Sequence, residues 1–225
     1  MRMNDSPALL ACCPLQYCYT EAARQRSSTQ ATNTSGGICL FHQNSLKVRR
    51  LPFVDNASFE FICVRILHPS VLFIVICRPG SSPATDLFFD EFADVVERTA
   101  LGTSPIIIAG DLNVHFAIAD DSAAAKLSNV LKTYGLILHI SQPTHVRSHT
   151  LDVFITRSDQ IIEAVNVDPP LLSDHSLIVA SVDLHIPPVY TVSRHARRSW
   201  RSLDVDVFVE GPPTVDTGAG GTIRR

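Results

Sequence analysis

Three features are scarce or missing in this 225-residue sequence, and each absence narrows the class of protein. The six cysteines include no CxxC pair, which argues against a zinc site and favours reduced thiols in an intracellular protein. No apolar run can span a bilayer as a helix, because the most apolar stretch, residues 71–77, is far too short. Basic charge is not in excess: the net charge of -3 argues against a generally basic nucleic-acid-binding surface, although a local basic groove fits the same total. We therefore expect a soluble intracellular protein with no membrane partner.

The apolar residues that are present, 45% of the chain, suffice for a packed core and follow strand and helix patterns. Strands are predicted at 38–42, 46–51, 59–67, 71–77, 105–109, 136–140, 151–156, 161–167 and 176–184. One helix is predicted from Asp86 to near Gly102, and another over 122–134 with a left-handed cap at Gly135. The first four strands favour an antiparallel meander, and the helices between later strands favour two sheets flanked by helices.

Composition divides the chain into three parts. Residues 1–35 are a predicted irregular lead-in with the truncated start of the domain, and the polar tract 24–35 within them has no apolar period. Residues 36–188 are the predicted domain, and residues 189–225 a predicted basic linker and disordered tail. The basic residues of that tail are either a solvated linker or phosphate contacts; they are Arg194, Arg197, Arg198 and Arg201.

Three polar clusters interrupt the apolar strands at their ends, where α/β folds collect functional groups. They are Gly110-Asp111-Leu112-Asn113, Thr150-Leu151-Asp152 and Ser173-Asp174-His175. On an extended backbone, Asp111 and Asn113 point to the same face. Asp152 lies inside a strand that we expect to be largely buried, so its charge needs a partner.

His175 offers that partner, because one ring N–H could bond Asp152 and leave the other nitrogen free to take a proton from water. Asp174 would then face a hard cation such as Mg²⁺, which favours carboxylate oxygens. Each cluster also has a structural interpretation: Asp111 and Asn113 as turn formers, Asp152 in a buried structural pair, Asp174 as an N-cap and His175 as a core histidine. Taken one at a time, the clusters leave both interpretations open.

The order and spacing of the clusters carry a resemblance to a known family. IIIAGDLNVH, PTHVRSHTLDVFIT and LSDHSLI resemble the three C-terminal motifs of the endonuclease/exonuclease/phosphatase superfamily, and the intervening GLILHISQPTH is similar to LINE-type (non-LTR) retrotransposon endonucleases. GGICLFHQNSLKVRRL, FEFICVRI and LFIVICRPGSS resemble that family's central strands, and FFDEFADVVE resembles the first helix of the family that is preserved in this chain. The resemblance covers roughly residues 14–188. It implies an α/β (α+β) fold, a four-layered sandwich of two mostly antiparallel sheets flanked by helices.

The resemblance also implies roles for the residues of the three clusters. Asp111 would orient the attacking water or protonate the leaving group, and Asn113 would bind the scissile phosphate. His175 would polarise the phosphate or act as a base, with Asp152 orienting its ring. Asp174 would help to bind Mg²⁺ or Mn²⁺. His145 and Arg78 are further candidates for substrate binding.

The sequence departs from the family pattern in two places. The family's opening strands carry an Asn and a metal-binding Glu, and we find no counterpart of them in the chain. Glu21 is the remaining candidate for this metal ligand, but residues 14–17 match the segment that normally follows the glutamate. Cys77 stands where the family usually has Tyr, and a thiol replaces the phenol's hydrogen bond to phosphate poorly. Missing first strands would leave one sheet with an unpaired edge and exposed apolar surface.

We therefore predict an Mg²⁺- or Mn²⁺-dependent endonuclease that nicks DNA, of retrotransposon origin, nuclear if functional, and degenerate with low or no activity. One alternative is a phosphatase of the same superfamily, which would share the hydrolytic groups. The other is a non-catalytic nucleic-acid-binding or scaffold domain that uses the arginines of the tail.

Overall fold

The computed structural model describes residues 7–22, 37–100, 102, 104–116, 121–171 and 173–184, all within one compact unit, residues 1–186. The helices in this part of the chain are α1 (Pro7–Cys12), α2 (Asp86–Ala100) and α3 (Ser122–Thr133). The strands are β1 (Tyr17–Ala22), β2 (Ile38–Gln43), β3 (Val48–Arg50), β4 (Glu60–Leu67), β5 (Ser70–Cys77), β6 (Ile106–Asp111), β7 (Leu136–Leu138), β8 (Asp152–Arg157), β9 (Ile161–Asp168) and β10 (Leu177–Asp183). Among the described residues, no helix has the length and apolar character needed to cross a membrane.

Six strands form one sheet in the order β3-β4-β5-β6-β8-β7. β3, β4 and β5 form the predicted antiparallel meander, and α2 connects β5 to the parallel strand β6. β8 then runs antiparallel to both β6 and β7. In this register Asp111 lies opposite Cys77 on one side and Asp152 on the other. The ends of β5 and β6 and the start of β8 therefore meet at one edge of the sheet.

Helices α2 and α3 cover one face of this sheet. In α2 the buried side chains recur at helical spacing, among them Phe88, Phe92 and Val96. They pack on alternate residues of the central strands, such as Ile74 and Ile155, each 0% exposed. The predicted boundaries of α3 hold because Asp121 caps its N-terminus through the amides of the first turn and Gly135 takes the left-handed conformation (φ 64°) at its end.

Two antiparallel hairpins, β1–β2 and β9–β10, lie on the opposite face of the sheet. Ile38 and Leu40 of the first hairpin pack on residues of β4 and β5, and Ile178 of the second belongs to a cluster around β6 and β8. Phe73 of β5 contacts both clusters, so both hairpins cover the same face. Helices, sheet and hairpins form successive layers, which confirms the predicted mixed α/β sandwich.

Within residues 1–35, predicted to be an irregular lead-in with the truncated start of the domain, the structure has α1 and β1. YCYTEA has no clear alternation of apolar and polar residues. It becomes a strand because it pairs with β2, which the sequence analysis had assigned to the meander. The polar tract 24–35, the boundary near Pro188 and the predicted tail lie outside the described residues, and there the domain division stays a prediction.

Apolar side chains remain exposed on the hairpin layer. Ile161 is 65% exposed, Leu177 60% and Val179 47%. In β10 exposed and half-buried residues alternate, so one side of this strand packs on the sheet and the other faces away from it. The hairpin layer is therefore covered much less completely than the helix-facing side of the sheet.

Candidate active site

The site begins at the end of β6, where Gly110 allows the strand to approach β5 closely. Gly110 has a φ of 136°, and a Cβ there would lie 1.9 Å from the backbone oxygen of Ile76. No residue with a side chain fits that space, because the clash is with backbone. This glycine sets the position of the carboxylate that follows it, Asp111.

Asn113 turns the chain back towards that carboxylate. Its φ of 49° is left-handed, a conformation that asparagine tolerates better than most residues. Its backbone N–H donates to Oδ1 of Asp111 at 2.8 Å, and its side-chain Nδ2 donates to Oδ2 at 2.8 Å. Asp111 and Asn113 thus form one rigid unit, as their spacing predicted, although through a turn and not an extended strand.

Arg78 supports this turn through hydrogen bonds to its backbone. It is 4% exposed, and its guanidinium donates to the backbone oxygens of Leu112 and Asn113, both at 2.6 Å, and of Ser82 at 2.8 Å. In return, Nδ2 of Asn113 donates to the backbone oxygen of Arg78 at 2.8 Å. Arg78 is a predicted substrate-binding residue. In the structure its guanidinium is engaged by backbone carbonyls and directed into the protein.

Asp152, at the start of β8, meets His175, which precedes β10. Nδ1 of His175 lies 2.9 Å from Oδ2 of Asp152, and Nε2 lies 3.9 Å from Oδ2 of Asp111. Because an ionised carboxylate can only accept, Nδ1 carries a proton and donates it to Asp152. Nε2 is left facing Asp111 and the opening of the site. The structure thus brings together Asp111, Asn113, Asp152 and His175.

Thr144 is a residue of the site that the sequence analysis missed. Its side chain is fully buried, and its Oγ1 accepts the backbone N–H groups of Leu151 (3.0 Å) and Asp152 (3.1 Å). Its backbone oxygen accepts the N–H of Ser176 at 2.8 Å. Thr144 therefore links the strand that carries Asp152 to the segment that carries His175. The only signal in the sequence was a threonine within a polar loop, which is not specific.

The pKa values of Asp111 and His175 are both shifted by their surroundings. Burial raises the pKa of Asp111, and the neighbouring Asp152 carboxylate adds to this, outweighing the hydrogen bonds from Asn113 and the attraction of His175. Burial opposes the charged form of His175. The hydrogen bond and charge of Asp152, with the charges of Asp111 and Asp174, nevertheless hold the pKa of His175 above its usual value. Carboxylates crowded in this way favour a cation between them.

Asp174 lies at the exposed side of the site. Its side chain is 66% exposed, and its Oδ2 lies 3.2 Å from Nε2 of His145. This hydrogen bond holds the pKa of the Asp174 carboxyl below its usual range. The two predicted ligand and substrate residues, Asp174 and His145, therefore contact each other directly.

Two groups of side chains are close enough to share a metal ion, with all ligand atoms within 4.8 Å of one another. They are Asp111, Asp152 and His175, and His145, Asp174 and His175. The first group fits Mg²⁺ or Mn²⁺, which prefer carboxylate oxygens, and a cation there would offset the burial and the repulsion from Asp152 that raise the pKa of Asp111. Among the described residues Glu21 belongs to neither group; it lies on β1 opposite Cys39.

The comparisons agree with this fold. Residues 71–179 match the family described as "Endonuclease-reverse transcriptase". The endonuclease domain of TRAS1, a telomere-specific non-LTR retrotransposon, is similar in structure, with a TM-score of 0.58 and 17% identity over 75% of this chain and 79% of that one. The 3' phosphatase NExo from Neisseria, bound to a product DNA hairpin, has a TM-score of 0.57 and 16% identity over 81% and 85%. The human Nocturnin catalytic domain has a TM-score of 0.52 and 17% identity over 80% of this chain and 77% of that one.

Comparison with curated protein sequences finds no match. The identities to the solved structures are low, so these structures support the fold, while the family match over residues 71–179 supports the relationship itself. Both agree with the motifs in the sequence. Residues 71–179 thus match the endonuclease-reverse transcriptase family, and the fold is similar to that of the TRAS1 endonuclease domain.

Proposed function

We propose that the chain is a divalent-metal-dependent endonuclease that nicks DNA, with low activity. The observation that carries this proposal is the convergence of Asp111, Asp152 and His175, whose ligand atoms lie within 4.8 Å of one another at one edge of the sheet. Phosphodiester hydrolysis needs an activated water, stabilisation of charge on the phosphate oxygens and a proton for the leaving group.

The residues present can supply these functions. The raised pKa of Asp111 suits a group that exchanges a proton with water or the leaving oxygen. Nε2 of His175 faces the same space, where it polarises a phosphate oxygen or accepts a proton, while Asp152 orients the ring. Asn113 donates both N–H groups of its amide within the site, to Asp111 and to the backbone oxygen of Arg78, so it binds the scissile phosphate only by releasing one of them. A bound Mg²⁺ or Mn²⁺ would add Lewis-acid stabilisation of the charge on phosphate.

The proposal of low activity rests on two features of the site. The two groups able to share a metal ion contain aspartates and histidines, and no glutamate occurs in them among the described residues. Cys77, the register partner of Asp111, carries a thiol, which is a weaker hydrogen-bond donor to phosphate than the tyrosine it replaces in the family pattern. Retrotransposon origin and action in the nucleus, where a DNA substrate would be met, belong to the same proposal.

The test is nicking of supercoiled plasmid by the purified chain with Mg²⁺, with Mn²⁺ and with chelator, beside Asp111→Ala and His175→Ala. We expect slow conversion to open circles that requires metal, and a fall of about 10² to 10⁴ in each variant. Conversion by the wild type no faster than by the variants would refute the enzyme. Rates typical of efficient nucleases, with kcat of about 1 s⁻¹ or more, would refute low activity.

A 3'-phosphorylated DNA hairpin, offered in parallel, separates the nuclease from a phosphatase. Release of inorganic phosphate without nicking would favour the phosphatase. DNA binding without either reaction would favour the scaffold hypothesis, whose candidate residues, Arg194, Arg197, Arg198 and Arg201, lie outside the described part of the chain.

A further inference from the structure

The loop between β7 and β8 is paired with the segment that precedes β10. The backbone N–H of Val146 donates to the backbone oxygen of Asp174 at 2.9 Å, and His145 forms an antiparallel bridge with His175. The edge of one imidazole meets the face of the other, with ring centroids 5.1 Å apart and an interplanar angle of 78°. His145 is therefore built into the wall of the site.

Two hydrogen bonds define the protonation of the His145 ring. The backbone N–H of Arg147 donates to Nδ1 at 3.1 Å, so Nδ1 has no proton of its own. The ring proton is then on Nε2, which lies 3.2 Å from Oδ2 of Asp174 and donates to it. The donor is well sheltered, with 11% of the His145 side chain exposed, whereas the carboxylate that it holds is 66% exposed.

Further rings restrict rotation of this imidazole. His149 lies nearly parallel to His145 with centroids 6.4 Å apart, and His115 stacks on His149 at 4.6 Å. Rotation of His145 about its ring axis would also break the contact with Arg147. These contacts hold the ring on several sides, which suits a residue that orients another one.

We propose that His145 is a positioning residue, whose Nε2–H group holds the Asp174 carboxylate beside His175. This rests on the proposed function, in which Asp174 assists metal binding. It replaces two other roles for His145. A substrate contact is disfavoured because both ring nitrogens are already engaged. A metal bound at Nε2 of a neutral imidazole would require the proton to sit on Nδ1, where the N–H of Arg147 already points.

The consequence concerns the exposed carboxylate. Without the donor, the Asp174 side chain gains rotamers that point into solvent, and each ordering of it costs conformational entropy. Loss of a residue that orients a metal ligand typically lowers affinity or activity about 10- to 100-fold. We expect a loss of this size in nicking and in Mn²⁺ affinity when the donor alone is removed.

Two substitutions separate the donor from the ring. His145→Phe keeps an aromatic edge against His175 but removes the N–H, and His145→Gln places an amide N–H near the position of Nε2. We expect His145→Phe to lower both kcat for nicking and Mn²⁺ affinity about 10- to 100-fold, and His145→Gln to restore most of the loss. The double variant His145→Phe/Asp174→Asn should nick no more slowly than Asp174→Asn alone, because His145 acts through Asp174. His42→Phe, on β2, is the control for loss of a histidine outside the site.

A spectrum that needs no turnover completes the test. Imidazole ¹⁵N spectra of the wild type at pH 7 should include the signal of an Nε2–H tautomer that is absent from the spectrum of His145→Gln. The Nε2–H resonance of this histidine should shift in Asp174→Asn. An Nδ1–H group on the ring at this position would overturn the proposal, as would wild-type nicking by His145→Phe or multiplied effects in the double variant. If the wild type does not nick DNA, the proposed function fails, and the spectrum alone still decides whether His145 holds Asp174.

Discussion

The two faces of the six-stranded sheet differ in how completely they are covered. On the helix side, Ile74 and Ile155 are 0% exposed. On the other side, the hairpins leave Leu177 60% and Val179 47% exposed. The candidate site crosses this division, because Asp111 lies on the sheet and His175 at the start of the hairpin layer.

The difference teaches that the two halves of the site have different supports. A packed core and a backbone-engaged arginine fix the sheet half, with Asp111 and Asn113. Hydrogen bonds through Thr144 and the pair of His175 with Asp152 hold the other half. Substitutions of the residues that support the sheet half should therefore cost mainly stability, and those of the residues that support the hairpin half mainly activity.

The largest effect should come from Gly110→Ala. Its Cβ would overlap the backbone oxygen of Ile76, so the central strands would have to separate, and we expect a loss of at least about 4 kcal/mol in the free energy of unfolding. Urea denaturation measures it. Gly102→Ala is the matched control, because the nearest atom to a Cβ there is 3.9 Å away. Equal stability of the two variants would show that β5 and β6 do not approach as described.

The next effect compares the two faces directly. Ile74→Ala leaves a cavity under the helices and should cost about 2–5 kcal/mol. Val179→Ala, on the exposed side of β10, should stay within about 0.5 kcal/mol of the wild type. Chemical denaturation at one pH measures both. Similar losses would mean that the hairpin layer is as well packed as the helix side.

A smaller loss is expected from Arg78→Lys. Lysine keeps the charge, but its single ammonium cannot reach the carbonyls of Leu112, Asn113 and Ser82 together. We expect about 2–4 kcal/mol of destabilisation, since hydrogen bonds from charged groups to buried carbonyls are lost. A phosphate ligand on the surface would behave differently: Arg78→Lys would raise KM for DNA and leave stability unchanged, which would contradict the buried arrangement.

The smallest effect is expected from Glu91→Gln, a substitution in α2 outside the candidate site. Burial raises the pKa of Glu91, but the hydrogen bonds from the Ser58 hydroxyl and the amides of Ala57 and Ser58 outweigh it and hold the pKa below its usual value. A depressed folded-state pKa contributes stability above the unfolded pKa of about 4.3, and this is lost as the pH falls through the folded value.

The wild type should therefore exceed Glu91→Gln by about 1–2 kcal/mol at pH 6, and the gap should shrink towards pH 3. Denaturation curves of both proteins at the two pH values measure this. A gap that is constant with pH would show that the charge of Glu91 does not matter.

Much of the site could be predicted from the sequence because its residues follow apolar strands of recognisable pattern. Asp111, Asn113, Asp152 and His175 were identified from position and motif, and the structure brings them together. The role of Arg78 could not be predicted, since burial of an arginine against carbonyls depends on how β5 and β6 pack.

Two local features could not be predicted from the sequence for the same reason. β1 forms through its pairing with β2, and YCYTEA carries little strand preference by itself. The hydroxyl of Thr144 reaches two backbone amides that lie seven and eight residues further along the chain. Both depend on contacts between segments, which composition and periodicity do not encode.

The central claim is that separated residues act as one hydrolytic unit, and a double-variant cycle in plasmid nicking tests it most directly. With Mg²⁺ present, Asp111→Ala, His175→Ala and the combined variant should be equally slow within error, because groups that act together are lost together. Losses that multiply in the combined variant, or nicking by either single variant at the wild-type rate, would contradict the account.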